Sequence, residues 1–259
     1  MLAIDQYLRA TSLEEAYEAL QRKNSAVLGG MLWLRLGNRH ITTAIDLSAL
    51  GLDRIEETEE YLRIGAYVSL RTLETDPRLR QATDGVLTAA VKDIVGVQFR
   101  NLATVGGSIF GRFGFSDVVT ACLALDASVE LYRGGVVPLS EFCQMERVRD
   151  ILTHIRIPSR SLRAAYRAHR SSATDFPALN VCAAVCDGTL TLAVGARPLR
   201  AVTYQFPTAG ADAAALADEV AESVTLASNR RASEEYRRHL CRVLVRRALE
   251  DVLQGKEEV

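Results

Sequence analysis

The chain has 259 residues, of which 48% are hydrophobic and 24% are charged, and its formal net charge is −1. This composition is typical of a globular protein with one large core or two modest cores, and it excludes an intrinsically disordered chain. The near balance of acids and bases argues against binding to nucleic acid or to a membrane surface, since both need an excess of basic residues.

The first residues and the cysteines bear on the compartment. Asp5 and Arg9 interrupt the N-terminal stretch, so no signal peptide is predicted, and no later stretch approaches the ~20 apolar residues of a membrane span. The five scattered cysteines match neither a disulfide framework nor a zinc or iron–sulfur spacing. We therefore expect a cytoplasmic protein with reduced cysteines and no metal ligands of its own.

The first fifty residues predict a small βαβ unit. Ser12 begins a capping box for a short helix. An apolar strand over residues 25–28 runs into Gly29-Gly30, and a short helix is predicted over 31–36. A parallel strand over 43–47 closes the unit.

From residue 54 the pattern changes to antiparallel strands and short helices. The predicted elements are a hairpin over 54–66, helices over 70–76, 85–95, 118–125 and 139–142, and strands over 129–132, 136–137 and 151–157. Pro158 stops the last of these strands, and we place a domain boundary there. The sequence predicts a first domain over 1–158, with subdomains 1–53 and 54–158, and a second domain over 159–259.

The second domain carries one strong local signal. Asp187-Gly188 predicts a tight turn between strands over 179–185 and 189–194. Helices are predicted over 212–220 and 233–253. Arginines on the last helix, including Arg237, are predicted to form a solvated face paired with glutamates.

The stretch over residues 98–117 holds the strongest functional signal. Gly106-Gly107, between Thr104 and Ser108, removes the Cβ atoms at one point, so backbone N–H groups can approach a bulky anion such as a pyrophosphate. Asp117 opens an apolar helix, where its carboxylate either caps the helix or accepts hydrogen bonds from sugar hydroxyls. Since a glycine pair is also common in ordinary turns, this interpretation needs support from elsewhere.

Gly29-Gly30 provides that support. The order of strand, glycine turn and short helix offers a helix N-terminus to a phosphate group. The pair lacks the three-glycine dinucleotide fingerprint and is a weak signal by itself. Two glycine pairs in one chain strengthen the phosphate-binding hypothesis. We call residues 26–33 the first glycine corner and residues 104–108 the second glycine block.

The order of these parts resembles the FAD-binding (medium) subunit of molybdenum hydroxylases, the xanthine dehydrogenase and carbon monoxide dehydrogenase flavoprotein family. The resemblance covers nearly the whole chain, and these segments carry it: Ala26-Val27-Leu28-Gly29-Gly30, Ile64-Gly65-Ala66, residues 100–108, Asp117 with residues 123–127, and residues 151–158. It implies an α+β fold. A two-subdomain FAD-binding domain of the PCMH type, with a small βαβ unit and a mixed sheet with helices, precedes a small α+β C-terminal domain with an antiparallel sheet.

The resemblance also implies which residues contact FAD. The first glycine corner would wrap the pyrophosphate, the second glycine block would continue the site, and single residues elsewhere would add contacts. The implied cofactor-binding residues are Ala26, Val27, Leu28, Gly29, Gly30, Met31, Leu32, Trp33, Ile94, Thr104, Val105, Gly106, Gly107, Ser108, Asp117, Leu152 and Arg167. No catalytic residue and no metal ligand is implied.

The chain departs from the family pattern at two points. The family usually follows its first glycine pair with a threonine and an acid, whereas Met31 and Leu32 offer only backbone donors. A lost hydrogen bond to a charged group costs ~1.5–3 kcal/mol, which would weaken FAD binding. Ser108 stands where asparagine is common, and its hydroxyl reaches less far.

The resemblance implies an FAD-dependent oxidoreductase subunit of a xanthine dehydrogenase-like complex. Such a subunit takes electrons from an iron–sulfur subunit, assembles with a molybdopterin subunit and passes electrons through FAD to an acceptor such as NAD⁺. A surface with Arg112, Phe113 and Phe115 is expected to meet a partner, although the two rings suit a core equally well. Two alternatives stay open: an FAD-free structural adaptor, suggested by Met31-Leu32, and a free-standing flavin oxidase.

Overall fold

Three β-sheets organise the chain in the computed structural model, which describes residues 1–254. The strands are β1 (Ala3–Arg9), β2 (Ser25–Leu28), β3 (His40–Asp46), β4 (Ile55–Glu57), β5 (Tyr61–Gly65), β6 (Ser128–Leu131), β7 (Gly135–Pro138), β8 (Leu152–Pro158), β9 (Arg163–His169), β10 (Leu179–Cys186), β11 (Thr189–Gly195) and β12 (Val202–Pro207). The helices are α1 (Leu13–Gln21), α2 (Leu70–Thr75), α3 (Pro77–Ala82), α4 (Val86–Val91), α5 (Val97–Leu102), α6 (Val105–Gly111), α7 (Asp117–Ala124), α8 (Leu139–Gln144), α9 (Ala213–Ser223) and α10 (Glu234–Gln254). The predicted α+β class is confirmed.

The first sheet is parallel and has the order β1-β3-β2. Ser12 caps α1 by accepting a hydrogen bond from the Glu15 N–H, as the capping box predicts. Strand β1 was absent from the prediction, because six of its seven residues are exposed and no buried face marks it. The predicted helix over 31–36 is wrong for its first half, because only Leu34–Leu36 is helical and forms a single 3₁₀ turn.

The second sheet is antiparallel and has the order β4-β5-β8-β6-β7. Helices α2 to α7 lie between β5 and β6 in sequence and share one apolar core with this sheet. The chain leaves the sheet after Pro158 and enters the third sheet at Arg163.

The third sheet is antiparallel, with the order β12-β11-β10-β9, and α9 and α10 pack on it. The hairpin at Asp187-Gly188 pairs Cys186 with Thr189, as the turn signal predicts. Strands β9 and β12 were missed. The polar residues of β9 do not alternate with its buried ones, whereas β12 alternates strictly between half-buried and exposed residues, a signal that could have predicted it.

Helix α7 joins the second and third sheets. All eight of its residues are buried, and it contacts α4 on one side and β10 and β11 on the other. A helix that is apolar on every side needs partners all round. The core under the second sheet therefore continues into the face of the third sheet that carries Tyr166 and Cys182.

Arg237 corrects the prediction of a solvated arginine face on α10. Its side chain is fully buried, and its guanidinium donates to the carbonyls of Ala178, Ala227 and Ala232 and to the side chain of Asn229. It ties the segment before α10 to the start of β10. Within residues 1–254, no helix combines the length and apolar character that crossing a membrane requires.

Candidate functional site

The second glycine block forms the N-terminus of helix α6. Thr104 is the N-cap, and its hydroxyl oxygen accepts the Gly107 N–H at 3.1 Å. The Ser108 hydroxyl donates to the Thr104 carbonyl, also at 3.1 Å. Gly107 lies exposed at the surface, whereas Gly106 is buried.

The segment after β5 holds this helix N-terminus in place. The N–H groups of Val105 and Gly106 donate to the carbonyls of Val68 and Ala66 at 2.9 and 2.8 Å. A Cβ on Gly106 would lie 2.6 Å from the Ala66 Cβ, so only glycine fits there. Gly106 is therefore required for packing, and the first amides of α6 already have acceptors inside the chain.

The first glycine corner presents free donors instead. The backbone N–H groups of residues 29 to 33 have no hydrogen-bond acceptor within the described part of the chain. Met31 adopts a left-handed conformation with φ 58°, which turns the chain between β2 and the 3₁₀ turn. Its side chain, like those of Leu2 and Leu34, packs against the small core formed by residues of β2 and β3. Consecutive unpaired amides in a turn form a concave site for an anion.

The two glycine segments lie against each other. A Cβ on Gly29 would be 3.0 Å from the Thr104 hydroxyl oxygen and 4.0 Å from the Gly107 Cα. A Cβ on Gly30 would lie 1.8 Å from the Leu102 carbonyl oxygen, so the backbones of the two segments touch. The structure thus brings together residues that are about 75 positions apart, as the phosphate-binding hypothesis requires.

Four aromatic rings cluster at the exit of the first glycine corner. Trp33 lies 5.5 Å from Phe113, 5.8 Å from Phe115 and 5.7 Å from Phe176 between ring centroids. Trp33 is 45% exposed and Phe113 is 36% exposed, so the cluster has one open side. Planar rings stack favourably on such a surface.

Arg112, predicted as part of an interface, turns inward. Its guanidinium lies 3.9 Å over the Phe142 ring and donates to the Met145 carbonyl at 2.6 Å. Burial lowers the pKa of Arg112 below its ordinary value, and its Nε and one Nη lack a partner within residues 1–254. Of the three predicted interface residues, Phe113 is the exposed one.

Asp117 is buried at the start of α7, where Ser116 is the N-cap. One of its carboxylate oxygens accepts two hydrogen bonds from the third sheet, from the Tyr166 hydroxyl and from the Asn180 amide at 3.0 Å. The same oxygen forms an ion pair with the Arg170 guanidinium, just after β9, at 2.9 Å. Burial and the neighbouring carboxylate raise the pKa of Tyr166 well above its ordinary value, so this hydroxyl stays protonated.

Three further residues that the resemblance implies lie outside this arrangement. Ile94 is half-buried, and its carbonyl accepts a hydrogen bond from Arg100 at 2.9 Å. Leu152 lies in the core of the second sheet. Arg167 points to the opposite face of β9 from Tyr166 and pairs with Asp251 on α10 at 2.5 Å. The structure does not bring Arg167 to the two glycine segments.

The residues present fit a diphosphate with an attached planar ring. The free amides of the first glycine corner and the Thr104 hydroxyl supply donors, Gly29 and Gly107 leave room beside them, and the aromatic cluster lies next to them. FAD combines these two chemical groups. The fit is partial at the second glycine block, where Thr104 and the exposed face of Gly107 remain available but the amides of residues 105–107 do not.

Comparison with known proteins shows the family and the fold of the chain. Residues 3–160 match the family model of the FAD binding domain in molybdopterin dehydrogenase. The chain is 28% identical to the xanthine dehydrogenase FAD-binding subunit of Escherichia coli O157:H7, over 95% of each chain. It resembles quinoline 2-oxidoreductase from Pseudomonas putida 86, with a TM-score of 0.84, 19% identity and coverage of 98% of each chain. It also resembles carbon monoxide dehydrogenase from Hydrogenophaga pseudoflava, with a TM-score of 0.83, 22% identity and coverage of 97% of this chain and 98% of that one.

The family model matches more than half of the chain, and the fold agrees with it over nearly the whole length. The chain therefore belongs to the FAD-binding domain family of molybdopterin dehydrogenases. It is an FAD-binding oxidoreductase subunit of the molybdenum hydroxylase kind.

Proposed function

We propose that this chain binds FAD at the first glycine corner and Thr104, and passes electrons from the iron–sulfur clusters of a partner subunit through FAD to an acceptor such as NAD⁺. The observation that carries the proposal is the run of unpaired amides over residues 29 to 33, which faces the Thr104 hydroxyl across Gly29. Bound FAD would supply the exchange between one-electron centres and a two-electron acceptor.

The chain's own residues would bind and orient the cofactor. The amides of Gly29 to Trp33 would donate to the pyrophosphate, as backbone donors do at other diphosphate sites. Thr104 would add its hydroxyl proton, since the oxygen already accepts from Gly107. Trp33 and Phe113 would offer their exposed faces to the planar ring.

Asp117, Ile94 and Leu152 would act by supporting the site. The Asp117 carboxylate is held by two hydrogen bonds and an ion pair within the chain itself, so it fixes α7 against the third sheet. Leu152 and Ile94 pack on the core that carries α6 and α7. Because Arg167 is paired with Asp251, we leave it out of the proposed cofactor contacts.

The proposed partners are an iron–sulfur subunit and a molybdopterin subunit, as the resemblance to the molybdenum hydroxylases implies. The described residues hold five free cysteines, four of them buried, and no group of side chains suited to a metal ion. Electrons would therefore enter from another chain. The docking surface that we propose is the exposed apolar side around Leu36, which adjoins the faces of Trp33 and Phe113 that would hold the planar ring.

A structural adaptor without FAD is the second candidate. It is favoured by the first amides of α6, which all have acceptors inside the chain, and by the engagement of Asp117 with the third sheet. The two candidates differ in one readily measured property. The flavoprotein should carry flavin absorption after purification with its partners, and the adaptor should carry none.

The experiment is to co-express the chain with the proteins encoded beside it and to purify the assembly by size exclusion. The proposal predicts co-elution with an iron–sulfur protein and one FAD per chain after heat release. Substrate-dependent reduction of NAD⁺ should require all subunits. A chain that elutes alone, or an assembly without flavin, would contradict it.

A further inference from the structure

Tyr67 links the two subdomains beside the proposed FAD site. It follows β5, and its side chain reaches the first sheet, where the hydroxyl donates to the carbonyl of Leu28. Leu28 is the last residue of β2 and immediately precedes Gly29-Gly30. The same hydroxyl accepts the N–H of Leu47 at 3.0 Å, just after the end of β3. One phenol group therefore bridges the ends of two neighbouring strands where the first glycine corner begins.

The backbone on both sides of Tyr67 holds the second glycine block. The carbonyls of Ala66 and Val68 accept the N–H groups of Gly106 and Val105. The Leu70 N–H donates to the Ala103 carbonyl at 2.8 Å. Residues 66 to 70 thus fix the second glycine block through the main chain and the first glycine corner through one side chain.

The hydroxyl is suited to this position. Tyr67 is half-buried and packs against the core between α1 and the first sheet. Burial raises the pKa of Tyr67 to about 12, so the phenol keeps its proton and stays a donor to Leu28. A phenylalanine would fill the same space but would leave the Leu28 carbonyl and the Leu47 N–H without this partner.

We propose that Tyr67 is a positioning residue for FAD binding, which sets the first glycine corner against the second glycine block through its hydrogen bond to Leu28. The inference rests on the proposed FAD site, because it concerns the geometry of that site. The Tyr67 hydroxyl is not hydrogen-bonded to the amides of residues 29–33 or of the second glycine block. Its effect on FAD binding would pass through the Leu28 carbonyl.

The test compares Tyr67→Phe with Tyr132→Phe. Tyr132 is a matched control, because its hydroxyl also joins the two subdomains, by donating to Glu14 at 2.6 Å, but its acceptor is a side chain on α1 and not the strand that leads into the first glycine corner. FAD affinity is measured from the quenching of Trp33, the single tryptophan of the chain. Amide hydrogen exchange of the peptide over residues 25–33 is measured without FAD.

We expect Tyr67→Phe to raise the FAD Kd at least tenfold and to speed exchange over residues 25–33, while Tyr132→Phe changes neither by more than twofold. An equal rise in Kd for both variants would show a general effect of subdomain contact and would overturn the inference. An unchanged Kd for Tyr67→Phe would overturn it as well. If the unaltered chain binds no FAD, the proposed function fails, and the exchange rates of the apoprotein alone decide the role of Tyr67.

Discussion

Asp117 and Arg170 form an ion pair in the interior, with 2.9 Å between the carboxylate and the guanidinium. Their side chains are 6% and 9% exposed. The pair joins the first turn of α7 to the residue after β9, so it ties the FAD-binding part of the chain to the third sheet. Tyr166 and Asn180 donate to the same carboxylate oxygen.

Asp117→Asn should destabilise the protein by ~3–5 kcal/mol, because it leaves the buried Arg170 without its counter-charge. Urea denaturation followed by circular dichroism measures the free energy of unfolding. Asp126→Asn is the control, since Asp126 and Arg160 form an ion pair that is largely exposed and is expected to contribute ~0–1 kcal/mol. Equal losses for the two variants would mean that the Asp117 pair adds nothing beyond a surface pair.

Gly107→Val should leave the fold intact and raise the FAD Kd at least a hundredfold. A Cβ at this exposed position meets only the Thr104 hydroxyl oxygen, at 3.0 Å, but it occupies the room beside that hydroxyl. Gly96→Ala is the control, because a Cβ there makes an ordinary contact of 3.6 Å with Gln98. Flavin fluorescence gives the affinities. Unchanged FAD binding by Gly107→Val would show that the cofactor lies elsewhere.

Met31→Thr should not restore a tighter FAD site, although threonine is the usual family residue. Met31 has φ 58°, a conformation that a β-branched residue adopts only at a cost of ~1–2 kcal/mol. Met31→Asn also introduces a polar side chain, but asparagine adopts the left-handed conformation more readily than threonine does. We expect Met31→Thr to be less stable than Met31→Asn by about 1 kcal/mol in thermal or urea denaturation. Equal stability would show that the turn rearranges.

His154 should make stability depend on pH below neutrality. Burial and the nearby Arg63 lower its pKa below the ordinary 6.5, against the opposing effect of Glu130 and Glu56. The unfolded chain therefore takes up a proton more readily than the folded chain, so the free energy of unfolding falls as the pH drops below 6.5. His154→Gln should flatten this part of the profile. The exposed His239→Gln is the control, and identical profiles for both variants would contradict the prediction.

Local patterns predicted much of this fold. The capping box at Ser12, the turn at Asp187-Gly188 and the apolar run of α7 are all signals carried by neighbouring residues, and each element formed as predicted. Strand β1 was missed because its side chains are almost all exposed and show no buried face. Arg237 was misplaced because its helical pattern does not show that carbonyls of the segment before α10 and of Ala178, before β10, surround its guanidinium.

The site shows the same division. Both glycine pairs were recognised as candidate phosphate-binding segments. Which of them has unpaired backbone N–H groups was not predicted, because this depends on contacts between distant segments. The amides of α6 are taken by Ala66 and Val68, nearly forty residues earlier, and this leaves the first glycine corner as the source of free donors. The partners Tyr166 and Asn180 lie 49 and 63 residues after Asp117 in the sequence, on β9, which was missed, and on β10, which was predicted without its pairing to Asp117. No spacing rule relates such residues.

If the unpaired amides beside Thr104 hold FAD, a titration of the purified chain with FAD will show it when emission from Trp33 and from the flavin is followed together. We expect saturable quenching of both signals at one FAD per chain, and loss of that quenching in Gly107→Val. Absence of quenching in the folded chain and in its purified assembly would contradict it.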